Sequence, residues 1–215
     1  MDRIVRIIRL AREQVKGLVV PIVTLVAEKK DPFLVLVSCI LSLRTKDKTT
    51  AQACRRLFKA ADDPGAMARL SCSRIEKLIY PVGFFRTKAK AIRELSKRLC
   101  AEFNGKVPDD LDTLLGFKGV GRKTANLVLG LGFGMPAICV DSHVHQISNR
   151  LGWVRTKDPE DTEFSLARII PRKYWIELNT ILVAFGQNIC LPVSPRCGIC
   201  RIKRYCKMIG VKYHR

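Results

Sequence analysis

Residues 116–141 constrain the fold more strongly than any other part of the chain; they read GFKGVGRKTANLVLGLGFGMPAICVD. Gly119 and Gly121 lie between two largely apolar segments, LDTLLGF and RKTANLVLGLGF. Glycine adopts positive φ and lets another backbone approach closely, so the pattern predicts two helices joined by a tight turn. A nucleotide-binding phosphate loop would need a preceding strand and a glycine directly before its lysine, where this chain has Arg122.

Helix start signals recur along the chain and predict an all-α fold of about ten short helices. Asp31 and Pro32 have the form of an N-cap and a first helical residue. They precede the run FLVLVSCILSL, which as a helix would have no solvent-exposed face. Further helix starts are predicted at Asp47, Ser73, Thr87, Asp110, Arg122 and Asp141. Sustained alternation of period two is absent, and a change of composition near Met135 suggests a domain junction.

The charge of the chain favours a polyanionic partner. Lys and Arg total 39 against 19 Asp and Glu, a formal net charge of +20. Nucleic acid is the first expectation, ahead of an anionic membrane surface and of a surface that is merely solubilising. No apolar run reaches the roughly 18 residues of a membrane span, and the arginine-rich N-terminus does not resemble a secretory signal. We therefore expect an intracellular protein without a membrane partner, cytoplasmic if the source is prokaryotic.

The glycine turn has two possible roles. Its amides and the start of the second helix could bind an anion, which in so basic a protein would be a DNA phosphate. The alternative is a tight helical hairpin that binds no ligand. The turn alone leaves both open.

Four of the nine cysteines are grouped near the C-terminus. Cys190, Cys197, Cys200 and Cys206 fall within 17 residues, with six, two and five residues between them. Four thiolates this close suit one tetrahedral metal ion or one iron–sulfur cluster. A zinc ribbon usually has two CxxC pairs, and this segment has one, so the spacing alone leaves zinc and iron–sulfur open. The other five cysteines lie in apolar or helical surroundings and are expected to be buried.

Several segments together resemble one protein family. GVGRKTAN, with VDSHVHQISNRL beyond it, resembles the helix-hairpin-helix and following aspartate of the HhH-GPD superfamily of DNA glycosylases, and most closely the endonuclease III family. ILSLRTKD, VGFFRTKAKAI and the cysteine group occur in the family's order. The resemblance implies two helical lobes with DNA across the cleft between them. One is a six-helix domain over 24–135; the other is discontinuous, over 1–23 and 136–215, and ends in a [4Fe–4S] cluster loop at 187–207.

The resemblance also implies the catalytic residues. The family's catalytic lysine falls on Lys123 and its catalytic aspartate on Asp141. A lysine amine can displace a base from C1′ and form an imine that permits β-elimination, while a carboxylate offsets the developing positive charge. This implies a bifunctional base-excision glycosylase and abasic-site lyase, expected to act as a monomer on oxidised pyrimidines such as thymine glycol in double-stranded DNA. By sequence alone, Lys123 could equally contact phosphate and Asp141 could cap a helix, and the two roles of Asp141 are compatible.

Further DNA contacts follow from the same resemblance. The family's gap-filling glutamine corresponds to Arg44, and its hydrophobic wedge to Phe84. The alternatives are that Arg44 binds phosphate and that Phe84 belongs to the core. The remaining expected contacts are Lys118, Gly119, Val120, Gly121, Arg122 and His143. The chain departs from the family at Arg44, and at Phe117 and Lys118, where Leu-Pro is common.

The cysteine spacing resembles the [4Fe–4S] loop of the endonuclease III family, which assigns the cluster to Cys190, Cys197, Cys200 and Cys206. Its expected role is structural, since it would fold a basic loop into a surface that contacts phosphate. Two other functions stay open. The same fold could act on mismatched or deaminated bases, or the protein could be a non-catalytic, metal-containing module that binds DNA.

Overall fold

The computed structural model describes residues 2–18 and 21–215, and in that part of the chain it contains helices and no β-strand, which confirms the all-α prediction. The α-helices are α1 Asp2–Val15, α2 Ile22–Ala27, α3 Pro32–Ser42, α4 Asp47–Ala60, α5 Pro64–Arg69, α6 Cys72–Ile79, α7 Phe85–Glu102, α8 Leu111–Leu115, α9 Arg122–Leu127, α10 Ser142–Leu151, α11 Pro159–Ile169 and α12 Trp175–Asn188. A π-helical turn, Val128–Gly132, continues α9, and 3₁₀ turns lie at Arg172–Tyr174 and Lys203–Tyr205.

The chain divides into two compact units. Ile22–Met135 forms the first, which we call the hairpin unit because it contains the glycine turn. Met1–Pro21 and Pro136–Arg215 together form the second, which we call the cysteine unit.

Helix α3 is the centre of the hairpin unit. Asp31 caps it by accepting hydrogen bonds from the N–H groups of Phe33 and Leu34, and Pro32 is its first residue, as predicted. Every residue from Phe33 to Leu41 is buried. Helices α2, α4, α7 and α9 and the π-helical turn pack around it. Burying an aliphatic side chain contributes about 1.5–3 kcal/mol, so this helix supplies much of the apolar stabilisation of the unit.

Three predicted helix starts are displaced by one or two residues. Ser71 caps α6 by accepting the Arg74 N–H, whereas Ser73 lies inside the helix. Helix α7 begins at Phe85 instead of Thr87. The N-cap of α4 is Lys46, and Asp47 occupies the first turn, where a carboxylate still interacts favourably with the helix dipole.

The cysteine unit is built from segments at opposite ends of the sequence. Ile7, Ile8 and Ala11 on α1 are fully buried in one apolar cluster with Leu182 and Phe185 of α12. Helix α10 contributes to the same cluster. Within residues 2–18 and 21–215, none of the helices is both long and apolar enough to cross a bilayer.

Candidate active site and cysteine loop

The glycine turn is a compact connection between two short helices, as the sequence predicts. Asp110 caps α8 by accepting the Thr113 N–H, a hydrogen bond that lowers the pKa of the Asp110 carboxyl. Gly119 has φ +86°, a left-handed conformation that a side chain would strain. The N–H of Val120 donates to the Phe117 carbonyl at 3.0 Å. The Val120 side chain is buried, so this residue anchors the turn to the core.

The exposed part of the turn presents backbone donors. Within the described residues, the N–H groups of Gly119 and Gly121 donate to no protein acceptor, and both glycines are exposed. Lys118 is exposed beside them and Arg122 is half-buried. Unpaired amides together with two cations are a suitable arrangement for an anion.

Lys123 is the second residue of α9 and is exposed. Its charge lies within electrostatic reach of Cys39 on α3. Burial raises the pKa of the Cys39 thiol to about 12, and the Lys123 charge opposes that rise. Lys123 therefore lies at the surface of the hairpin unit, within electrostatic reach of its central helix.

Asp141 lies in the cysteine unit and is the N-cap of α10. Its Oδ1 accepts from the N–H groups of His143 at 3.0 Å and Val144 at 2.9 Å. Among the described residues, its Oδ2 has no hydrogen-bond partner. One carboxylate oxygen thus fixes the side chain, and the other is available for chemistry.

The two histidines near Asp141 contact the protein. The ring of His143 lies against Gly186, where an added Cβ would be 2.4 Å from Nδ1. Nδ1 of His145 is 2.7 Å from the hydroxyl oxygen of Thr162. His143 is therefore half-buried against α12.

The two residues expected to enter the duplex lie together on adjacent turns. Phe84 is 62% exposed, so the alternative that it belongs to the core is wrong. The guanidinium carbon of Arg44 lies 5.7 Å from the centroid of the Phe84 ring, a cation–π arrangement. Both residues are left-handed, with φ +51° and +58°, which is uncommon for residues with a Cβ.

Sequence reasoning missed Lys88, a lysine that is only 7% exposed. It lies on α7, and burial lowers the pKa of its ammonium to about 8. The sequence does indicate that Lys88 is buried, because it precedes Ile92, Leu95 and Leu99 at the helical spacing of their buried stripe. A lysine in phase with an apolar stripe requires acceptors for its ammonium inside the protein.

The four grouped cysteines line one cavity in the cysteine unit. Apolar side chains of Ile147, Leu151 and Phe185 complete much of its wall. The lining cysteines are Cys190, Cys197, Cys200 and Cys206. Arg150, which is 9% exposed, donates to Cys190 Sγ at 3.4 Å and to the carbonyls of Leu191 and Pro192.

The thiols influence one another. Burial, together with Cys190, Cys197 and Cys206, raises the pKa of Cys200 to about 11. Burial and neighbouring thiols also raise the pKa of Cys197 and of Cys206. Four thiolates in such a place need a bound cation to offset their charge, so the donor set fits a metal cluster. In the described part of the chain, however, no three His, Cys, Asp or Glu side chains are arranged to hold a metal ion.

Comparisons with known proteins agree on one family. The model of HhH-GPD superfamily base excision DNA repair proteins matches residues 37–172. The chain is 45% identical over 180 residues to endonuclease III of Thermotoga maritima, covering 84% of each chain. A solved structure of a trapped covalent intermediate between endonuclease III and DNA has a TM-score of 0.78 and 35% identity, covering 83% of this chain and 84% of that one. A thermostable thymine-DNA glycosylase has a TM-score of 0.83 over 96% of this chain and 95% of that one; at 22% identity this shows the fold alone.

Proposed function

Because the chain belongs to the endonuclease III family of the HhH-GPD superfamily, we propose that Lys123 is its nucleophile and Asp141 its catalytic carboxylate. The protein is a base-excision repair DNA glycosylase with abasic-site lyase activity, and its partner is DNA. The observation that carries the assignment is the arrangement of the Asp141 carboxylate. Its Oδ1 caps α10, while its Oδ2 has no hydrogen-bond partner among the described residues and is available to the reaction.

Base release needs a nucleophile at C1′ and a negative charge beside the sugar. The ammonium of Lys123 must first lose a proton, which the carboxylate of Asp141 would assist, and the neutral Nζ then attacks C1′. The glycosidic bond breaks, and the base leaves with its electron pair and takes up a proton. The carboxylate also stabilises the positive charge that develops at C1′ while that bond is breaking.

Strand cleavage follows from the bond between lysine and sugar. Opening of the sugar ring converts the C1′ adduct to an imine, which acidifies the protons on C2′. Loss of one of these protons forms a C2′–C3′ double bond and expels the 3′ phosphate with the electrons of the C3′–O bond. Water then hydrolyses the imine and frees Lys123.

The glycine turn would hold the damaged strand during these steps. The unpaired N–H groups of Gly119 and Gly121 are suited to a phosphate oxygen, and Lys118 adds a neighbouring charge. Lys123 follows Gly121 by two residues, so a strand held at the turn lies close to the nucleophile.

For the damaged base we propose oxidised pyrimidines such as thymine glycol in double-stranded DNA. The 45% identity to an endonuclease III over most of both chains supports membership of that family, and the resemblance of the motifs to the family implies this class of base. Because its DNA substrate lies inside the cell, we also propose an intracellular location for the protein.

We further propose that Cys190, Cys197, Cys200 and Cys206 hold a [4Fe–4S] cluster. The cavity that they share and its apolar lining support this proposal. When bound, the cluster would cross-link the loop through four iron–thiolate bonds and supply no atom to the reaction. Arg196, Arg201, Lys203 and Arg204 would then be fixed in a loop that contacts phosphate.

Borohydride trapping tests the catalytic assignment. Reduction during incubation with a duplex containing an abasic site should convert the imine into a stable protein–DNA adduct. Lys123→Ala should lower adduct formation by about 10³-fold or more, since it removes the attacking amine. Lys97→Ala, which removes an exposed lysine of α7, is the control and should match the unaltered protein.

An undiminished adduct in Lys123→Ala would exclude that residue as nucleophile. Absence of an adduct from metal-loaded, unaltered protein would instead favour a non-catalytic DNA-binding module. Thymine glycol, uracil and mismatched thymine, each placed in the same duplex, would identify the preferred base.

A further inference from the structure

The turns that carry Arg44 and Phe84 are joined by an unusually close contact. A Cβ on Gly83 would lie 2.7 Å from the carbonyl oxygen of Arg44, so only glycine permits this approach. The N–H of Gly83 donates to the hydroxyl oxygen of Thr45 at 3.2 Å. One turn follows α3 and the other precedes α7, and residues 38 positions apart in sequence thereby form one surface.

Lys88 lies directly beneath this contact. Its ammonium donates to the Leu41 carbonyl at 2.9 Å, to the Leu43 carbonyl, and to the Thr45 hydroxyl oxygen at 3.2 Å. The ammonium has three N–H donors, and these three acceptors use all of them. Thr45 donates its own hydroxyl proton to Leu43, so it can accept from Lys88 and Gly83 together.

We infer that Lys88 is a positioning residue for duplex opening, which ties the two turns together so that Arg44 and Phe84 enter the base stack as one preassembled unit. The inference rests on the proposed function. Lys88 is too deeply buried to contact DNA itself, so its influence must pass through the turns. Both intruding residues are held left-handed, a conformation that persists only where surrounding contacts enforce it.

The network also accounts for a charged group in the core. A buried ammonium is costly unless every donor is satisfied, and an apolar side chain would pack there without that cost. Carbonyls at the C-terminal end of α3 are favourable partners for a cation. Lys88 thus substitutes for the helical hydrogen bonds that α3 lacks where the chain turns towards Arg44.

Two DNA substrates separate positioning from general support of the fold. The first is an intact duplex with an abasic site opposite a normal base, which the unit must open. The second is a gapped duplex that lacks the nucleotide opposite the abasic site, so no partner base has to be displaced. In Lys88→Met, the rate of borohydride-trapped adduct formation should fall about ten- to hundredfold on the intact duplex. On the gapped duplex it should stay within about twofold of the unaltered protein.

Two further variants complete the test. Thr45→Val removes the hydroxyl that links Lys88 to Gly83 and leaves the lysine in place, so it should show the same selective loss, even if Lys88→Met fails to fold. Lys97→Met removes an exposed lysine of the same helix and should react normally with both substrates.

An equal loss on both substrates in Thr45→Val, or no loss on the intact duplex, would overturn the inference and leave the proposed function standing. Absence of any adduct from the unaltered protein would overturn the proposed function, and this inference with it.

Discussion

The hairpin at residues 111–127 and the cysteine loop at residues 187–207 position their functional groups in different ways. The hairpin is held by local contacts, with Asp110 capping α8 and the buried Val120 anchoring the turn. The cysteine loop brings four thiols to one apolar cavity, where burial raises the pKa of three of them. Local contacts set the conformation of the first region, whereas in our proposal a bound cluster fixes the conformation of the second.

The largest expected effect is the loss of stability on replacing a cysteine of the cysteine loop, compared with replacing a buried cysteine elsewhere. Cys200→Ala should remove a cluster ligand and lower the free energy of unfolding of the metal-loaded protein by at least about 5 kcal/mol, because metal binding and loop folding are coupled. Cys54→Ala, at a buried position in the hairpin unit, should cost about 1 kcal/mol. Iron content, visible absorbance and denaturant unfolding measure the difference. Equal losses, or purified protein containing zinc in place of iron, would contradict the cluster.

The next effect compares two helix caps of the same design. Asp141 and Asp158 each cap a helix through one carboxylate oxygen. Asparagine caps as well as aspartate, so both Asp→Asn variants should change the free energy of unfolding by less than about 0.5 kcal/mol. Asp141→Asn alone should slow base release by about 10²- to 10⁴-fold, because the carboxylate charge is lost. Single-turnover base release and DNA binding are the measurements, and undiminished release in Asp141→Asn would exclude its catalytic role.

The smallest effect separates the two glycines of the turn. Gly119→Ala should lower the free energy of unfolding by about 1 kcal/mol, because φ there is +86°. Gly121 has φ −98° and no atom within 4 Å of an added Cβ, so Gly121→Ala should be nearly neutral for folding. The methyl group of Gly121→Ala would lie in open space at the exposed turn and should weaken binding to an abasic-site duplex in a fluorescence anisotropy titration. Unchanged affinity in Gly121→Ala would show that the strand does not approach the turn there.

Sequence predicted best the features that depend on adjacent residues. The caps at Asp31, Asp110 and Asp141 were each correct, because capping is decided within one turn of chain. The predicted helix start at Ser73 is wrong for an equally local reason. Ser71 is also a good cap, and it begins α6 a few residues earlier.

Sequence could not reveal contacts made between distant segments. The partners of Lys88 are 43 to 47 residues away, and nothing near Lys88 identifies them. Likewise, the cation–π contact between Arg44 and Phe84 depends on two turns that meet only after α3 and α7 pack. The sequence places Lys88 at the helical spacing of the apolar stripe on α7. This spacing indicates that Lys88 is buried, but it does not identify its hydrogen-bond partners.

The discontinuity of the cysteine unit has a consequence during protein synthesis. Helix α1 leaves the ribosome long before α12, whose residues bury Ile7 and Ile8. At roughly 5–20 residues per second, the whole hairpin unit has time to fold while α1 waits for seconds without its partner. The exposed arginines at positions 3, 6, 9 and 12 give the waiting helix a charged face, which would disfavour aggregation of nascent chains until α12 arrives.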